Sequence, residues 1–205
     1  MVLKNPNEYL KGKTTVYFVR HGERIHIPNS LYPHDFSLTP KGIKQAKEVA
    51  KKFAKIKDEI DVIYTSPMKR AYETAVEIGK KINKKPIIIP HFEEINKIIE
   101  HPNFFSLNYW KARKEFRNKQ KIFDRILEKN KEKVIVLVAH GRLNRMIIGR
   151  KIGLSHKKSN IFDAHNCHIT LVRFKGKKLD YIHCVNSKDL VEQSINFYHK
   201  PLSRA

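Results

Sequence analysis

Two histidines and two arginines stand at or just beyond the ends of short apolar segments that are typical of buried strands. Arg20 and His21 end the run that starts at Thr14, and His140 follows the run at 134–139. Arg70 lies five residues after the run at 61–65. A guanidinium offers a rigid fork of donors to phosphate oxygens, and a histidine can form a covalent intermediate as a nucleophile. These residue types predict phosphoryl transfer, with His21 as the nucleophile.

The elements that must position these residues alternate between strand-like and helix-like patterns. Strands are predicted at 14–20, 61–65, 86–89, 134–139, 167–174 and 178–185. Such alternation predicts an α/β fold, a three-layer αβα sandwich with a mostly parallel central sheet. The most apolar run, 134–139, is predicted to be a central strand. Because ligands bind at the carboxyl ends of parallel strands, we expect the two arginines and two histidines to meet at one rim.

Capping signals predict where the helices begin. Thr39 precedes Pro40, which is typical of an N-cap and a first helical residue. One face of that helix is predicted to be buried, through Ile43, Ala46, Val49, Ala50 and Phe53. Ser66-Pro67 is predicted to start a second helix in the same way, running to about Ile82. Further helices are predicted at 105–129 and 141–152.

The composition is that of a folded domain with a strongly basic surface. The chain has 205 residues, of which 40% are hydrophobic and 30% charged, and we predict a single domain over 1–205. The first 13 residues lack the apolar stretch of a signal peptide, and no run is long enough to span a bilayer. The only cysteines, Cys167 and Cys184, are expected to be reduced in a cytoplasmic protein. We expect no membrane association.

The formal net charge is +22, from 42 basic and 20 acidic residues. A positive field of this size attracts anions of any kind, including phosphorylated metabolites and nucleic acid. Most of the excess is lysine spread along the chain, which favours a solvated surface over a dedicated nucleic-acid interface. The stretch 111–133 is locally positive, with ten basic and four acidic residues. The pattern leaves the oligomeric state open, and a homodimer is possible.

Six segments in order resemble the histidine phosphatase superfamily, also called the phosphoglycerate mutase-like family. They span about residues 14–175, most of the chain. The segments are RHG at 20–22, DFSLTPKGIKQA at 35–46, SPMKRAYETA at 66–75, FEEI at 92–95, VAHG at 138–141 and NCHIT at 166–170. A lone R-H-G is a weak signal, whereas six segments at compatible spacing are a strong one. The resemblance implies a phosphoglycerate mutase-like fold.

The resemblance also implies roles for individual residues. His21 would become phosphohistidine, and Arg20, Arg70 and His140 would bind the phosphoryl oxygens. Gly141, like Gly22, would let the anion approach the backbone. Glu94 would protonate the leaving oxygen and then activate water. Glu93 remains an alternative acid, although the L-x-E-I pattern of the family favours Glu94; no metal or other cofactor is implied.

Hydrolysis is favoured over mutase chemistry. The mutases of this family carry an acid motif E-R-x-Y-G and inserted sequence that closes the site. Here Glu94 is followed by Ile95-Asn96-Lys97, and the chain is short. The alternatives are phosphoglycerate mutase-type phosphoryl transfer and a non-catalytic member that binds phosphorylated ligands or RNA. The intact set of site residues argues against the non-catalytic alternative.

The substrate is only partly indicated. Basic residues that could line the mouth of the pocket are Arg24, His26, His34 and Arg142. They favour an anionic partner, either a phosphorylated small molecule such as phosphoserine or a sugar phosphate, or a phosphopeptide. Arg142 departs from the small residue often found there in the family, so the specificity of relatives does not transfer directly. The aromatic segment 102–110 is predicted to anchor the following helix in the core rather than to form a lid.

Overall fold

A mixed six-stranded sheet forms the centre of the protein in the computed structural model, which describes residues 12–26, 35–100 and 105–188. The strands are β1 (Lys13–Arg20), β2 (Val62–Thr65), β3 (Ile87–Ile88), β4 (Val134–Ala139), β5 (Ile169–Lys175) and β6 (Lys178–Ser187). Their order across the sheet is β3-β2-β4-β1-β5-β6. The first four strands in that order are parallel, whereas β5 and β6 run antiparallel to their neighbours.

Helices cover both faces of this sheet. They are α1 (Pro40–Ala54), α2 (Lys69–Ile82), α3 (Leu107–Lys129) and α4 (Gly141–Lys151), with short 3-10 turns at Lys97–Glu100 and Lys158–Ile161. Residues of α1 and α2 share one apolar cluster with alternate residues of β1, while α3 and α4 share the other cluster with the remaining ones. Val16 and Phe18 therefore face one layer, and Tyr17 and Val19 face the opposite layer.

The predicted fold class is confirmed, with one refinement and two errors of detail. The three-layer α/β arrangement and the interior position of β4 are as expected, but the sheet is parallel over only four of its six strands. The strand predicted at 86–89 is a two-residue, exposed edge strand. The prediction that Ile43 is buried was wrong, because this side chain is 41% exposed while the other four predicted core residues of α1 are buried.

The two predicted helix caps had different outcomes. The Thr39 side chain accepts a hydrogen bond from the backbone N–H of Gly42 at 2.9 Å, so the N-cap of α1 is confirmed. Ser66 does not cap α2, which begins at Lys69 with Met68 as its N-cap residue. The Ser66 hydroxyl lies instead 2.8 Å from a ring nitrogen of His140. It also accepts a hydrogen bond from the backbone N–H of Met68 at 3.3 Å, just before α2, so the hydroxyl takes part in a local contact and a tertiary one.

The first turn of α1 packs directly against the loop that follows β1. A Cβ atom built on Gly42 would lie 2.0 Å from the carbonyl oxygen of Glu23, and one built on Gly22 would lie 2.6 Å from the carbonyl oxygen of Gly42. Both distances are far below van der Waals contact, so each position requires glycine. This close approach holds the residues after His21 against the start of α1.

The structure also bears on the predictions for membrane spans and for the two cysteines. In the described residues, no helix is both long and apolar enough to cross a membrane. Cys167 and Cys184 are both buried and unpaired. The predictions for the first 11 residues, for His34 and for residues 102–104 fall outside the described residues.

We expect Gly42→Ala to lower the free energy of unfolding by about 1–3 kcal/mol, since the new methyl group overlaps backbone atoms that have little room to move. Lys47→Ala, on the exposed face of the same helix, is the matched control and should change stability by less than about 0.5 kcal/mol. Urea denaturation followed by circular dichroism measures both. Equal stability of the two variants would show that the contact between α1 and the loop is unimportant.

Candidate active site

The sheet brings His21 and His140 side by side at the carboxyl ends of the neighbouring strands β1 and β4. Arg20 at the end of β1 is paired in register with Ala139 at the end of β4, so the next residue of each strand is a histidine. The two ring centroids lie 5.3 Å apart, and both side chains are buried. Arg70, in the first turn of α2, is buried beside them. The predicted meeting of these residues at one rim is confirmed.

Hydrogen bonds define the tautomer of His21. Its Nδ1 lies 2.7 Å from the carbonyl oxygen of Gly22, which can only accept, so Nδ1 carries the proton. The Nε of Arg70 donates to Nε2 of His21 at 3.1 Å, which places a lone pair on Nε2. The backbone N–H of Gly22 donates to the Thr74 hydroxyl and the side chain of Asn166 donates to the carbonyl oxygen of His21, so the loop is held from two sides. The ring of His21 is thus held in one orientation, with an unprotonated Nε2 whose lone pair is engaged by Arg70.

Burial keeps His21 neutral. Burial is the largest cause that lowers the pKa of His21, and the positive charge of Arg70 is the next, bringing it to about 3. The hydrogen bond to Gly22 opposes this shift, but it is the smaller effect. Near neutral pH the imidazole is therefore unprotonated, as a nucleophile must be.

His140 is held between a hydroxyl and a guanidinium. Its Nδ1 lies 3.3 Å from a terminal nitrogen of Arg70, which can only donate, so the proton is on Nε2 and points to the Ser66 hydroxyl. Burial first, and then the neighbouring His21 and Arg70, hold the pKa of His140 well below its ordinary value. His140 is thus neutral in the unliganded site.

Arg20 carries a buried donor that lacks a partner. One terminal nitrogen donates to the carbonyl oxygen of Ala164 at 2.5 Å, which anchors the guanidinium. Its Nε is buried and has no hydrogen-bond partner among the described residues. A Cβ built on Gly141 would lie 3.2 Å from Cδ of Arg20, so this glycine makes room for the arginine. The close neighbour of Gly141 is therefore a protein side chain, whereas the sequence suggested the approach of an anion.

Glu94 sits where the first turn of α4 begins. Its carboxylate accepts hydrogen bonds from the backbone N–H groups of Ile95 at 3.1 Å and Leu143 at 3.0 Å, and more weakly from that of Arg142 at 3.4 Å. Burial raises the pKa of Glu94, and this effect outweighs the opposing influence of Arg142 and of these hydrogen bonds. A carboxyl group with a raised pKa at the wall of the site has the property that a general acid needs.

Glu93 is placed differently. It forms an ion pair of 3.1 Å with Lys119, a buried lysine of α3 that also pairs with Glu115. Burial alone would raise the pKa of Glu93, but hydrogen bonds from its own backbone and from Lys119 lower it. Glu93 is thus held as a carboxylate, whereas Glu94 is biased towards the protonated form. The geometry favours Glu94 over Glu93 as the acid.

A cleft of about 500 Å³ opens beside Arg70 and Glu94. Its lining residues are Arg24, Met68, Arg70, Glu93, Glu94, Ile95, Asn96, Lys97, Glu115 and Arg142. The structure therefore places Arg24 and Arg142 at the cleft, as predicted. His26 is exposed and does not line this cleft in the described part of the chain, and His34 lies outside that part.

Some supporting residues were missed by sequence reasoning. Glu100 is buried and pairs with Arg142 at 3.1 Å and with Arg145 at 2.6 Å, which ties the loop of Glu94 to α4. Lys119 joins the same loop to α3 through the carbonyl oxygen of His91. No local sequence pattern indicates that Glu100 or Lys119 is buried, because each resembles an ordinary charged residue of an exposed turn or helix. Ser66 was noted at the end of its strand but was assigned to a helix cap.

The sequence pattern that defines the histidine phosphatase superfamily (branch 1) matches residues 16–98 and 112–187. The chain belongs to this superfamily. The matched segments include all the residues that meet at the rim of the sheet. The resemblance drawn from the six sequence segments is therefore confirmed.

Individual relatives of this superfamily are similar over most of their length. A candidate phosphoserine phosphatase of Hydrogenobacter thermophilus, designated number 2, is 24% identical over 188 residues, which cover 80% of this chain and 91% of the relative. A phosphoserine phosphatase of Entamoeba histolytica, solved with 3-phosphoglyceric acid, has a TM-score of 0.68 at 24% identity, covering 87% of this chain and 99% of that one. A mycobacterial glucosyl-3-phosphoglycerate phosphatase has a TM-score of 0.66 at 17% identity, covering 86% and 100%.

These comparisons establish a phosphoglycerate mutase-like fold and support phosphatase activity for this chain. At sequence identities of 24% and 17%, the similarity to the solved structures supports the fold alone. The identity of the nucleophile and of the acid depends on the geometry of the site.

We expect His21 to contribute to acid sensitivity. Its pKa is about 3 in the folded protein and about 6.5 in the unfolded chain. Between these values the unfolded state binds more protons, so the free energy of unfolding falls as the pH falls from about 6.5 towards about 3. His21→Gln, which cannot titrate, should lose less stability than the wild type between pH 7 and pH 4. Urea denaturation at the two pH values measures this, and equal losses would contradict a neutral, buried His21.

Proposed function

We propose that this protein hydrolyses phosphate monoesters through a phosphohistidine intermediate at His21. The observation that carries the proposal is the neutral, buried ring of His21, whose Nε2 accepts a hydrogen bond from Nε of Arg70 at 3.1 Å. The lone pair of Nε2 becomes free for attack when Arg70 turns its N–H to an oxygen of the bound phosphoryl group. Beside it, the buried Nε of Arg20 has no hydrogen-bond partner among the described residues. A phosphoryl group that enters here meets a neutral nucleophile and an unsatisfied donor together.

In the proposed complex, the two arginines neutralise the phosphoryl group. Arg20 and Arg70 donate to its oxygens, and His140 becomes protonated as the dianion arrives and adds a third positive group. The N–H groups of Arg142 and Leu143 in the first turn of α4 are taken by Glu94, so the arginines and His140 are the proposed donors. The arginines supply the positive charge, so we propose that the reaction proceeds without a metal ion.

The first half of the proposed reaction forms the phosphoenzyme. Nε2 of His21 attacks phosphorus, a bond between nitrogen and phosphorus forms, and the bond from phosphorus to the ester oxygen breaks. Glu94 in its protonated form gives its proton to that oxygen, so the alcohol leaves in neutral form. Burial raises the pKa of Glu94, which favours the protonated form that this step needs.

The second half releases inorganic phosphate. The Glu94 carboxylate takes a proton from a water molecule, whose oxygen attacks the phosphorus of phosphohistidine. The bond between phosphorus and Nε2 breaks, and the electron pair returns to His21. Glu94 is then protonated again, and the site is ready for the next ester.

A small anionic ester is the proposed substrate. The cleft of about 500 Å³ is of the size that holds a small metabolite. Its lining carries Arg24, Lys97 and Arg142 as well as Glu93 and Glu115, so it presents both signs of charge to the part of the substrate beyond the phosphate. Two relatives named phosphoserine phosphatases make phosphoserine the first ester to test.

Hydrolysis of p-nitrophenyl phosphate tests the nucleophile. Wild type should release phosphate in excess EDTA, and His21→Ala should lose at least about 10³-fold in kcat because no covalent intermediate can form. Acid-labile, base-stable phosphate bound to the wild type and absent from His21→Ala would identify the phosphohistidine. Equal activity of the two proteins would exclude His21, and exchange that depends on a bisphosphate primer would identify a mutase.

A second experiment tests Glu94 with Glu93 as its matched control. The nitrophenolate group leaves without protonation, so Glu94→Gln should still form phosphohistidine from p-nitrophenyl phosphate but should hydrolyse it slowly. We expect a burst of nitrophenolate of about one equivalent per enzyme, followed by a rate lowered about 10²–10⁴-fold. Glu93→Gln should stay within a few-fold of wild type, since Glu93 is held by Lys119. If Glu93→Gln showed the burst and the slow hydrolysis while Glu94→Gln did not, Glu93 would be the acid instead of Glu94.

A further inference from the structure

A second basic pocket lies between the outer side of α3 and the end of α4. We call it the α3–α4 pocket; its volume is about 300 Å³. Its lining residues are Tyr109, Arg113, Arg117, Gln120, Arg150, Ser155, His156 and Lys157. None of them lines the cleft beside Arg70 and Glu94. Gly141 is at the active-site end of α4 and Arg150 is at its other end, roughly 14 Å away at the rise of an α-helix.

Positive groups from three segments converge on this pocket. Arg113 and Arg117 are one turn apart on α3, Arg150 is in the last turn of α4, and Lys157 is on the following loop. No carboxylate is among the residues that line the pocket. By contrast, Lys119 of α3 and Lys151 of α4, which lie outside the pocket, are each paired with a carboxylate.

The walls of the pocket are held in place by contacts beneath them. The guanidinium of Arg113 lies over the rings of Tyr109 and Trp110, at 5.8 Å and 5.2 Å from their centroids. The His156 ring packs edge-on against the buried Phe116 at 5.3 Å. The backbone N–H groups of the next turn donate to both the hydroxyl and the carbonyl oxygen of Ser155. These contacts hold Arg113, His156 and Ser155 in place before any ligand binds.

General basicity does not account for this arrangement. Arg150 is favoured at a helix carboxyl end by the helix dipole, but that effect does not apply to Arg113 and Arg117, which lie in the amino-terminal half of α3. His156 faces these arginines as well as Lys157 and Tyr109. Burial, and next the charges of Arg113 and Arg150, lower the pKa of His156. Like charges around one concavity repel one another until an anion enters.

We propose that the α3–α4 pocket is a second anion site that binds a phosphate group, either free or on a small phosphomonoester. Three guanidinium groups and a lysine supply the charged donors that the oxygens of phosphate accept. Gln120, Ser155 and the ring of His156 add neutral polar groups beside them. A pocket of about 300 Å³ is at the small end of ligand sites, which suits a compact phosphorylated molecule.

His156 provides a local reporter for the test. The imidazole resonances of His156 are followed by NMR in the full chain while inorganic phosphate is added, with His156→Gln used for assignment. Phosphate in the pocket should shift the His156 signals to a plateau and raise the pKa of His156, because a nearby anion stabilises the imidazolium. His156 does not line the cleft beside Arg70 and Glu94, so phosphate bound in that cleft does not contact this ring. The result is therefore independent of the proposed catalytic function.

A matched pair of variants separates the pocket from general charge. Arg113→Gln with Arg117→Gln should weaken the binding of phosphate reported by His156 at least about tenfold, the loss expected from one charged hydrogen bond. Lys81→Gln with Lys85→Gln removes the same charge on the far side of the sheet and should leave the binding unchanged. Thermal unfolding shows whether both variants are folded, and neither should alter kcat on p-nitrophenyl phosphate.

Two further arms define the ligand. In His21→Ala, which cannot turn over esters by the proposed route, glycerol phosphate is compared with inorganic phosphate; tighter binding of either supports the proposal and identifies the form preferred. The proposal is overturned if phosphate leaves His156 unmoved, or if both double variants respond alike. It is also overturned if only a single-stranded oligonucleotide moves His156, since the pocket would then belong to a nucleic-acid surface.

Discussion

The parallel pairing of β1 with β4 is the constraint on which the rest of the site depends. Because Arg20 and Ala139 are in register, the residues that follow them are brought to within 5.3 Å, measured between the rings of His21 and His140. A shift of one residue along this pair would turn every side chain of the strand to the opposite layer. The apolar alternation of β1, with Val16 and Phe18 on one side and Tyr17 and Val19 on the other, prevents such a shift. Core packing therefore sets the geometry of the chemistry.

Burial has two opposite effects on the groups at this rim. It keeps His21 and His140 neutral, because a positive imidazole loses hydration there and faces Arg70. It raises the pKa of Glu94 and so favours the protonated acid. The proposed nucleophile and the proposed acid need these two states, and burial favours both. The arginines keep their charge under the same conditions, although burial lowers the pKa of Arg70 to about 10.

The supporting contacts tie the loop that carries Glu94 to two helices. Glu100 binds Arg142 and Arg145 of α4, and Lys119 of α3 binds Glu93 and the carbonyl oxygen of His91. Glu100 and Lys119 are themselves buried, so removing their partners leaves an uncompensated buried charge. They therefore fix the position of the carboxyl group of Glu94 relative to His21. The α3–α4 pocket differs from this network because its positive groups face one another without a carboxylate on its lining.

Local sequence determined much of this protein. Strand and helix periods predicted the α/β class, and the rule that sites lie at the carboxyl ends of strands placed Arg20, His21, Arg70 and His140 together. Those features are local because each depends on the residues within one element. The sequence did not determine which hydroxyl caps a helix: Thr39 does, whereas Ser66 is bound to His140.

Only the tertiary structure decided the rest. It separated Glu94, held by the backbone of α4, from Glu93, held by Lys119 of α3, because adjacent residues differ in the distant groups that they meet. It showed that Gly141 makes room for Arg20, a contact between residues 121 positions apart. It also brought Arg113, Arg150 and Lys157 into one pocket. Each of these three features depends on which elements pack against one another. The side chains along a single element do not contain that information.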